Sequence, residues 1–323
     1  MKKIGVNLNN NVVLNSLNEQ YKKYSEMALY EREFLNNCLL LTKPQKVLEI
    51  GVSSGASSVL ILNALKHNDN NASLYSVDIL DHYWKEPEKK VGFVLDAYPE
   101  LVENHKLYTG GLICDFIEEI GNDIDFCFID TAHCNPGEIL DFVMILPFLK
   151  KNCTVIFHDT ILHRITTKRY EVTNNILMSS IYGEKILPEN YKGFASNIGG
   201  VILDDRINEH YWEIFNVLGL PWEPGLFDIY KPNFEKLHEF ISRYYSDEYV
   251  QMFDNVLASE TRRIKKERQS LSCTNEQSSL DKNLKRKYEY KYRFYRLVSN
   301  ITFGTTKKFA KQKKYKYKLL LKR

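Results

Sequence analysis

Two apolar runs in this chain end in acids and imidazoles. The first is F-I-D-T-A-H-C-N-P-G-E, Phe128 to Glu138; the second is V-I-F-H-D-T, Val155 to Thr160. Together they offer Asp130, His133, His158 and Asp159. An imidazole titrates near neutrality and can take up or release a proton at working pH. Carboxylates hold hard divalent cations. Each group follows a run with the composition of a buried strand, so all four are expected at one edge of a sheet. Polar tips on buried apolar strands are the form of a site carried on a rigid scaffold. The plainer readings are a residue preceding a helix for His133 and a cap for Asp159.

A third segment supplies a binding loop. Val47 to Ser57 reads V-L-E-I-G-V-S-S-G-A-S, an apolar strand, a turn framed by Gly51 and Gly55, and then a helix-compatible run to Leu65. Glycines let backbone pass close to a ligand, and a helix N-terminus offers free N–H groups. A phosphate loop would need Lys after its last glycine, which is missing. G-x-G-x-x-G fits poorly, because the glycines stand four apart. Glu49 to Gly55 does match E-x-G-x-x-x-G, although a lone glycine pair is also an ordinary βα turn. A second feature, Leu74 to Asp78 (L-Y-S-V-D), is a short β-rich run ending in an acid 23 residues after Gly55. A carboxylate there presents two oxygens to the two hydroxyls of a ribose.

The elements that must carry these groups alternate. Helical spacing covers Tyr24 to Leu41, and strands are expected at Lys46–Ile50, Leu74–Val77, His105–Tyr108, Ile124–Ile129 and Thr154–Phe157. Between them, Val91–Glu103 reads as helix or loop, Ile113–Ile120 as a helical turn or two, and Gly137–Leu149 as helix. Glu184–Leu187 and Gly199–Leu203 form an antiparallel pair at one sheet edge. Strands alternating with helices mean a mainly parallel sheet covered on both faces.

With 323 residues, 44% of them hydrophobic, the chain is long enough for a large core. Its six cysteines form no C-x-x-C pair, which points away from a zinc ribbon or a disulfide framework and toward a reducing cytosol. The N-terminus has no apolar core for a secretory signal, and no apolar stretch approaches a membrane span. The net charge of +3 hides an asymmetry. Residues 261–323 hold 21 basic and 4 acidic side chains, a balance of +17; residues 1–260 hold 23 and 37, a balance of −14. An acidic body thus carries a basic tail, joined through a Ser/Asn/Gln-rich stretch, Gln269 to Leu280.

The glycine loop, Asp78, and the run I-D-T-A-H-C-N-P-G-E-I-L-D-F … L-P-F-L-K … V-I-F-H-D-T together resemble class I S-adenosylmethionine-dependent methyltransferases. They are most similar to a subgroup found with bacterial surface-glycan and secondary-metabolite enzymes, whose pattern is I-D-x-x-H followed by H-D-T. The resemblance spans roughly Glu26 to Leu203. It implies a Rossmann-like, doubly wound, mainly parallel seven-stranded α/β sheet with one antiparallel edge strand, plus a C-terminal helical extension. It also implies S-adenosylmethionine as cofactor, with Glu49, Gly51, Ser53 and Gly55 around the methionine part and Asp78 on the ribose. Asp130 borders the cofactor, and Asp115 is the candidate on the adenine side. The chain departs from the pattern in two places. Asn152-Cys153 replaces a glycine pair, and Asn tolerates a left-handed turn. Gly111-Leu112-Ile113 replaces G-D-S. Asp130, His133 and His158 are the catalytic candidates, with His as general base. Asp130 and Asp159 are the Mg²⁺ candidates, although His158 stands where an acid is often found and imidazole is a poor Mg²⁺ ligand.

Four parts are expected: an N-terminal helical segment 1–45, the cofactor-binding domain 46–204, a helical extension 205–268, and a linker with basic tail 269–323. The expected activity is O-methylation of a sugar, glycan precursor or other small acceptor by a cytoplasmic bacterial enzyme. A hydroxylase-like enzyme on the same sheet is one alternative, and a non-catalytic membrane-docked scaffold for glycan enzymes is the other. The tail's interleaved Lys, Arg and aromatic residues fit nucleic acid and an anionic inner-membrane surface alike, with a solvated tail as the plain alternative; its similarity to basic tails on bacterial enzymes of capsule and lipopolysaccharide assembly favours the membrane.

Overall fold

The computed structural model describes residues 2–4, 17–69, 71–166, 169–189, 195–273 and positions 313, 314 and 318. Eight strands form one sheet: β1 (Lys2–Ile4), β2 (Lys46–Ile50), β3 (Ser73–Asp78), β4 (His105–Thr109), β5 (Ile124–Ile129), β6 (Leu149–His158), β7 (Gly183–Pro188) and β8 (Ile198–Leu203). Their order is β1-β7-β8-β6-β5-β2-β3-β4. Every pairing is parallel except those of β8 with β6 and β7. The doubly wound, mainly parallel α/β sheet is therefore as expected, with two differences in detail. Lys2–Ile4 adds an eighth strand within the stretch expected to be helical, too short to be read from K-K-I. The antiparallel strand, β8, lies two strands in from that edge rather than at it.

The connections place helices on both faces: α1 (Glu19–Lys22), α2 (Leu29–Thr42), α3 (Ala56–Asn68), α4 (Ile117–Ile120), α5 (Gly137–Ile145), α6 (Leu162–Thr166), α7 (Thr173–Ser180), α8 (Tyr211–Val217), α9 (Pro224–Tyr230), α10 (Phe234–Tyr244) and α11 (Asp247–Cys273). α2 and α3 pack together, burying Phe34, Leu35, Leu39, Val59, Ile61 and Leu62. α5 is buried along its whole length and packs on α7 and α8, which explains its unbroken apolar sequence. Within residues 91–103 lie two 3₁₀ turns, Phe93–Ala97 and Pro99–Leu101. Helix α2 begins at Leu29, five residues later than its spacing implied. β6 begins at Leu149, because its first residues (Leu-Lys-Lys-Asn) are a solvent-facing lead-in to the apolar part.

The chain divides into residues 1–256 and 257–323. In the first unit the helical extension is anchored by aromatic side chains. Tyr245 donates its hydroxyl proton to the Val143 carbonyl at 2.5 Å and packs against Phe215. Trp222 is buried against Phe227 and Phe234. In the second, Arg263 pairs with Glu260 and Glu267 along one helical face. α11 continues to Cys273, five residues into the stretch read as linker. Most of the basic tail lies outside the described residues. Among the described residues, no helix is long and apolar enough to cross a membrane.

What positions the site is the reversal of strand order between β2 and β5. The chain winds from β2 to β3 and β4 on one side, then from β5 to β6 on the other, so a crevice opens at their carboxyl ends. The two ends meet closely. Asp130 N–H donates to the Ile50 carbonyl and Gly51 N–H to the Val77 carbonyl, both at 2.9 Å. Gly51 has φ +92°, and a Cβ there would lie 1.9 Å from the Asp130 carbonyl oxygen. Gly51→Ala is therefore expected to cost about 3 kcal/mol or more, combining overpacking with a left-handed backbone. Gly110 also has positive φ, at +78°, but open space around it. Gly110→Ala should cost only about 1–2 kcal/mol. Urea unfolding of the two variants checks this; equal losses would mean that the contact at Gly51 does not constrain the fold.

Candidate active site

The loop after β2 is built from buried hydroxyls around a buried acid. Glu49 accepts hydrogen bonds from Ser57 and Ser58, both at 2.6 Å, and from Ser76 at 2.7 Å. These bonds tie the first turn of α3 to β2 and β3. Burial nevertheless pushes the Glu49 carboxyl up from its ordinary range. With three of its four acceptor positions used, Glu49 shapes the loop from beneath rather than facing the crevice. Ser53, at φ +53°, and Gly55, at φ +90°, complete the turn.

Asp78 stands at the tip of β3. Its Oδ2 accepts from the N–H groups of Val52 (2.9 Å) and Ser53 (2.8 Å), and its Oδ1 accepts from Leu80 N–H at 2.9 Å. It thus braces the glycine loop, and one acceptor position on Oδ1 remains for a ligand. Asp115 lies after β4, where it accepts from Leu112 N–H and pairs with Lys236 at 2.5 Å.

The tips of β5 and β6 bring Asp130, His133, His158 and Asp159 together. His158 Nδ1 is 3.2 Å from Asp130 Oδ1 and 3.7 Å from Asp159 Oδ1. His133 Nδ1 is 3.3 Å from Asp159 Oδ2 and 3.7 Å from Asp130 Oδ1. Two acids without an assigned role in the sequence reading complete the group. Glu138, at the start of α5, accepts the His133 backbone N–H and places Oε1 3.6 Å from His133 Nδ1. Glu31, in the first turn of α2, reaches His158 Nε2 at 3.2 Å. Glu31 also accepts from Ala28 N–H, so in sequence it reads as a simple helix-capping acid.

These contacts close into a ring. The Tyr30 hydroxyl donates to Glu31 (3.0 Å) and accepts from Asn197 N–H (3.1 Å), while Asn197 Nδ2 donates to Asp159 at 2.7 Å. His158 joins Asp159 and Asp130 back to Glu31. Exposure separates the two imidazoles. The His133 side chain is 34% exposed, whereas that of His158 is 5% exposed and flanked by carboxylates on both ring nitrogens. His133 is the more accessible imidazole, and His158 is enclosed. His133 (φ +58°) and Asp159 (φ +53°) both sit in left-handed backbone, held there by the turns that present them.

Burial alone would lower the His158 pKa, but Asp130, Asp159 and Glu31 override it and hold the ring well above its ordinary value. His133 is raised in the same way: Asp159, Asp130 and Glu138 outweigh its burial. Conversely, burial would raise Glu31 and Asp130, yet His158 draws both below the usual range. Glu138 stays raised, because burial dominates there. Asp130, His133 and Asp159 each offer one ligand atom, all within 4.8 Å of one another, so these three fit a divalent cation.

Behind the cluster, Asp141 accepts from Thr131 at 2.9 Å and is pushed by burial to about 7. An acid whose folded pKa exceeds its unfolded value binds more protons when folded, so its contribution to stability falls as pH rises through that window. Between about pH 4 and pH 7 this amounts to at most about 4 kcal/mol. Asp141→Asn should therefore gain stability relative to wild type as pH rises across that range, as read by urea unfolding at a series of pH values. A stability difference independent of pH would mean that Asp141 is ionised in the fold.

Residues 48–160 match the model of a family described as "Methyltransferase domain". That span begins in β2 and ends just after Asp159, so it contains the glycine loop, Asp78 and all four groups on the tips of β5 and β6. No curated protein sequence matches the chain significantly. Among solved structures, the chain is similar to the O-methyltransferase TomG from Streptomyces achromogenes, involved in tomaymycin synthesis and solved with S-adenosylmethionine. The identity is 14%, over 59% of this chain and 89% of that one, with a TM-score of 0.44. It is likewise similar to an O-methyltransferase from Bacillus cereus solved with S-adenosylhomocysteine (16% identity, 59% and 90% covered, TM-score 0.44). A Podospora anserina methyltransferase, PaMTH1, matches at 15% identity, with 59% and 85% covered and a TM-score of 0.41. The span similar to a methyltransferase domain contains the crevice between β2 and β5.

Proposed function

We propose that this protein transfers the methyl group of S-adenosylmethionine to a hydroxyl of a small polar acceptor, a sugar or surface-glycan precursor. One observation carries the reading. The glycine loop braced by Asp78 and the imidazole–carboxylate cluster occupy adjacent strand ends, joined where Gly51 meets the Asp130 carbonyl. In this reading Gly51, Ser53 and Gly55 line the methionine part, with Glu49 holding them from below. Asp78 offers its remaining acceptor position to one ribose hydroxyl, and Asp115 borders the adenine.

The cofactor supplies a methyl group on an already activated sulfonium, so alignment of the acceptor oxygen contributes most to the rate. Removal of the acceptor proton falls to His133, the more exposed imidazole. Asp130 and Asp159 orient it, and His158 keeps Asp130 in place. A divalent cation, if held by Asp130 and Asp159, would lower the pKa of the acceptor hydroxyl. His133 is a base only when neutral, and its neighbours raise its pKa. Turnover should therefore rise with pH above neutrality.

Calorimetry tests the cofactor. Micromolar binding of S-adenosylmethionine or S-adenosylhomocysteine is expected, and Asp78→Ala should weaken it by about 1–3 kcal/mol. Unchanged affinity in the variant removes the ribose assignment. Binding of NAD in place of the sulfonium nucleoside ends the methyltransferase reading. Formation of S-adenosylhomocysteine with hydroxylated acceptors separates a transferase from a hydroxylase or a scaffold.

The tail supports a second proposal, attachment to an anionic inner-membrane surface. The −14 body is repelled by such a surface, so attraction must come from the +17 segment, at roughly 1 kcal/mol per Lys or Arg close to the lipid. Flotation with anionic vesicles should retain the full chain and lose one truncated after residue 280, with cofactor binding intact in both. Equal flotation of the two forms would sink the proposal, and salt-dependent binding to RNA alone would replace it with a nucleic-acid role.

A further inference from the structure

We propose that His105, on the edge strand β4, is a positioning residue for the glycine loop. Its Nε2–H donates to Ser76, whose hydroxyl donates to Glu49, the acid that holds the first turn of α3 behind Gly55. The effect on the cofactor rests on the methyltransferase reading; the hydrogen-bond chain rests on these side chains.

Sheet register lines the three residues up. Glu49 lies beside Ser76 in β3, and Ser76 beside Leu107 in β4. His105 stands two residues before Leu107, so it shares that face. One face of three adjacent strands thus carries Glu49, Ser76 and His105 in a row. His105 Nε2 is 3.0 Å from Ser76 Oγ, and Ser76 Oγ is 2.7 Å from Glu49 Oε2. At the far end Ser57 and Ser58 bring α3 onto the same carboxylate, both at 2.6 Å. Glu49 is fully buried, whereas His105 is half-buried. The chain therefore runs from the open edge of the sheet to the base of the binding loop.

Proton counting gives its direction. Ser57, Ser58 and Ser76 have one hydroxyl proton each, and an ionised Glu49 only accepts. With all three protons directed at Glu49, Ser76 Oγ has none for His105 and must accept from it. Burial lowers the His105 pKa to about 4, so at working pH the ring is neutral and one nitrogen alone carries a proton. That nitrogen is Nε2. The opposite tautomer would turn the Ser76 hydroxyl toward the ring, or require Glu49 to carry a proton of its own. Either change removes a charge-assisted bond from the acid beneath the loop. Aligned donors in series also strengthen one another, so the edge residue tightens the bond that Ser76 makes to Glu49.

Two measurements test the inference on the full chain. In ¹⁵N NMR at neutral pH, with the His105 signals assigned by their loss in His105→Gln, the ring proton is expected on Nε2. A proton on Nδ1 overturns the proposal without reference to any ligand. Calorimetry with S-adenosylhomocysteine reads the loop. His105→Leu fills the space but cannot donate, and should weaken binding roughly fivefold or more. His105→Gln carries an amide donor in place of Nε2 and should stay within about twofold of wild type. In a Ser76→Ala background His105→Leu should cost nothing further, because the chain is already cut. Unchanged affinity in His105→Leu, equal losses in the Leu and Gln variants, or a loss that persists without the Ser76 hydroxyl overturns the proposal. Wild-type protein that binds no nucleoside overturns the methyltransferase reading instead, and the tautomer then decides the hydrogen-bond chain by itself.

Discussion

The approach of Gly51 to the Asp130 carbonyl is the constraint on which the rest depends. A backbone turn can come this close to a neighbouring strand end only if it carries no Cβ, and the left-handed conformation of Gly51 is what redirects the chain into the loop. The approach has two effects at once. It continues the β2–β5 ladder one bond past the strands, through Asp130 N–H and the Ile50 carbonyl, and so fixes the base of the Asp130 side chain. It also sets the glycine loop against the tip of β5, so that a ligand on the loop lies beside the acids and imidazoles. A wider separation would leave a loop and a cluster without a shared crevice.

The second constraint is charge. Four acids, Glu31, Asp130, Glu138 and Asp159, surround two imidazoles in a region largely withdrawn from water. That many buried carboxylates without compensation would be strongly unfavourable. His158 offsets two of them directly, with one ring nitrogen toward each. With one ring nitrogen turned to each of two carboxylates, this ring is enclosed. Two chemically equal imidazoles are thereby given different surroundings. Carboxylate oxygens of Asp130, Glu138 and Asp159 lie within 3.7 Å of His133 Nδ1.

The parts of this arrangement that were legible in the sequence are those whose signal is local. Apolar runs ending in acid or imidazole mark the tips of β5 and β6, and the glycine spacing marks the turn after β2. Asn152 takes the left-handed turn expected of it, with φ +60°. Glu31, Tyr30 and Asn197 were not legible, because their partners are more than one hundred residues away or on another strand. Glu31 is masked further by a local role as a capping acid, which accounts for its presence without any site. Glu138 lies inside the motif, but nothing in its spacing shows that it turns back onto His133. The edge strand Lys2–Ile4 escaped for the complementary reason: three residues that pair with β7 carry too little pattern to be read as a strand.

Glu31 also changes how the first part of the chain is understood. The matched methyltransferase region begins at residue 48, so α2 lies outside it, yet α2 supplies the carboxylate on His158 Nε2 and, through Tyr30, a hydrogen bond to the loop that holds Asp159. The two short connections meet the same cluster from opposite sides, one through β6 and one through β8. A helix packed only for its apolar face could shift by a fraction of a turn at small cost. This one cannot, because Glu31 must reach a buried ring while its neighbour Tyr30 reaches Asn197. The apolar face of α2, with Phe34, Leu35 and Leu39 against α3, sets the helix in place. The polar ring then fixes its rotation. The N-terminal helix is thus part of the site by the same contacts that make it part of the fold.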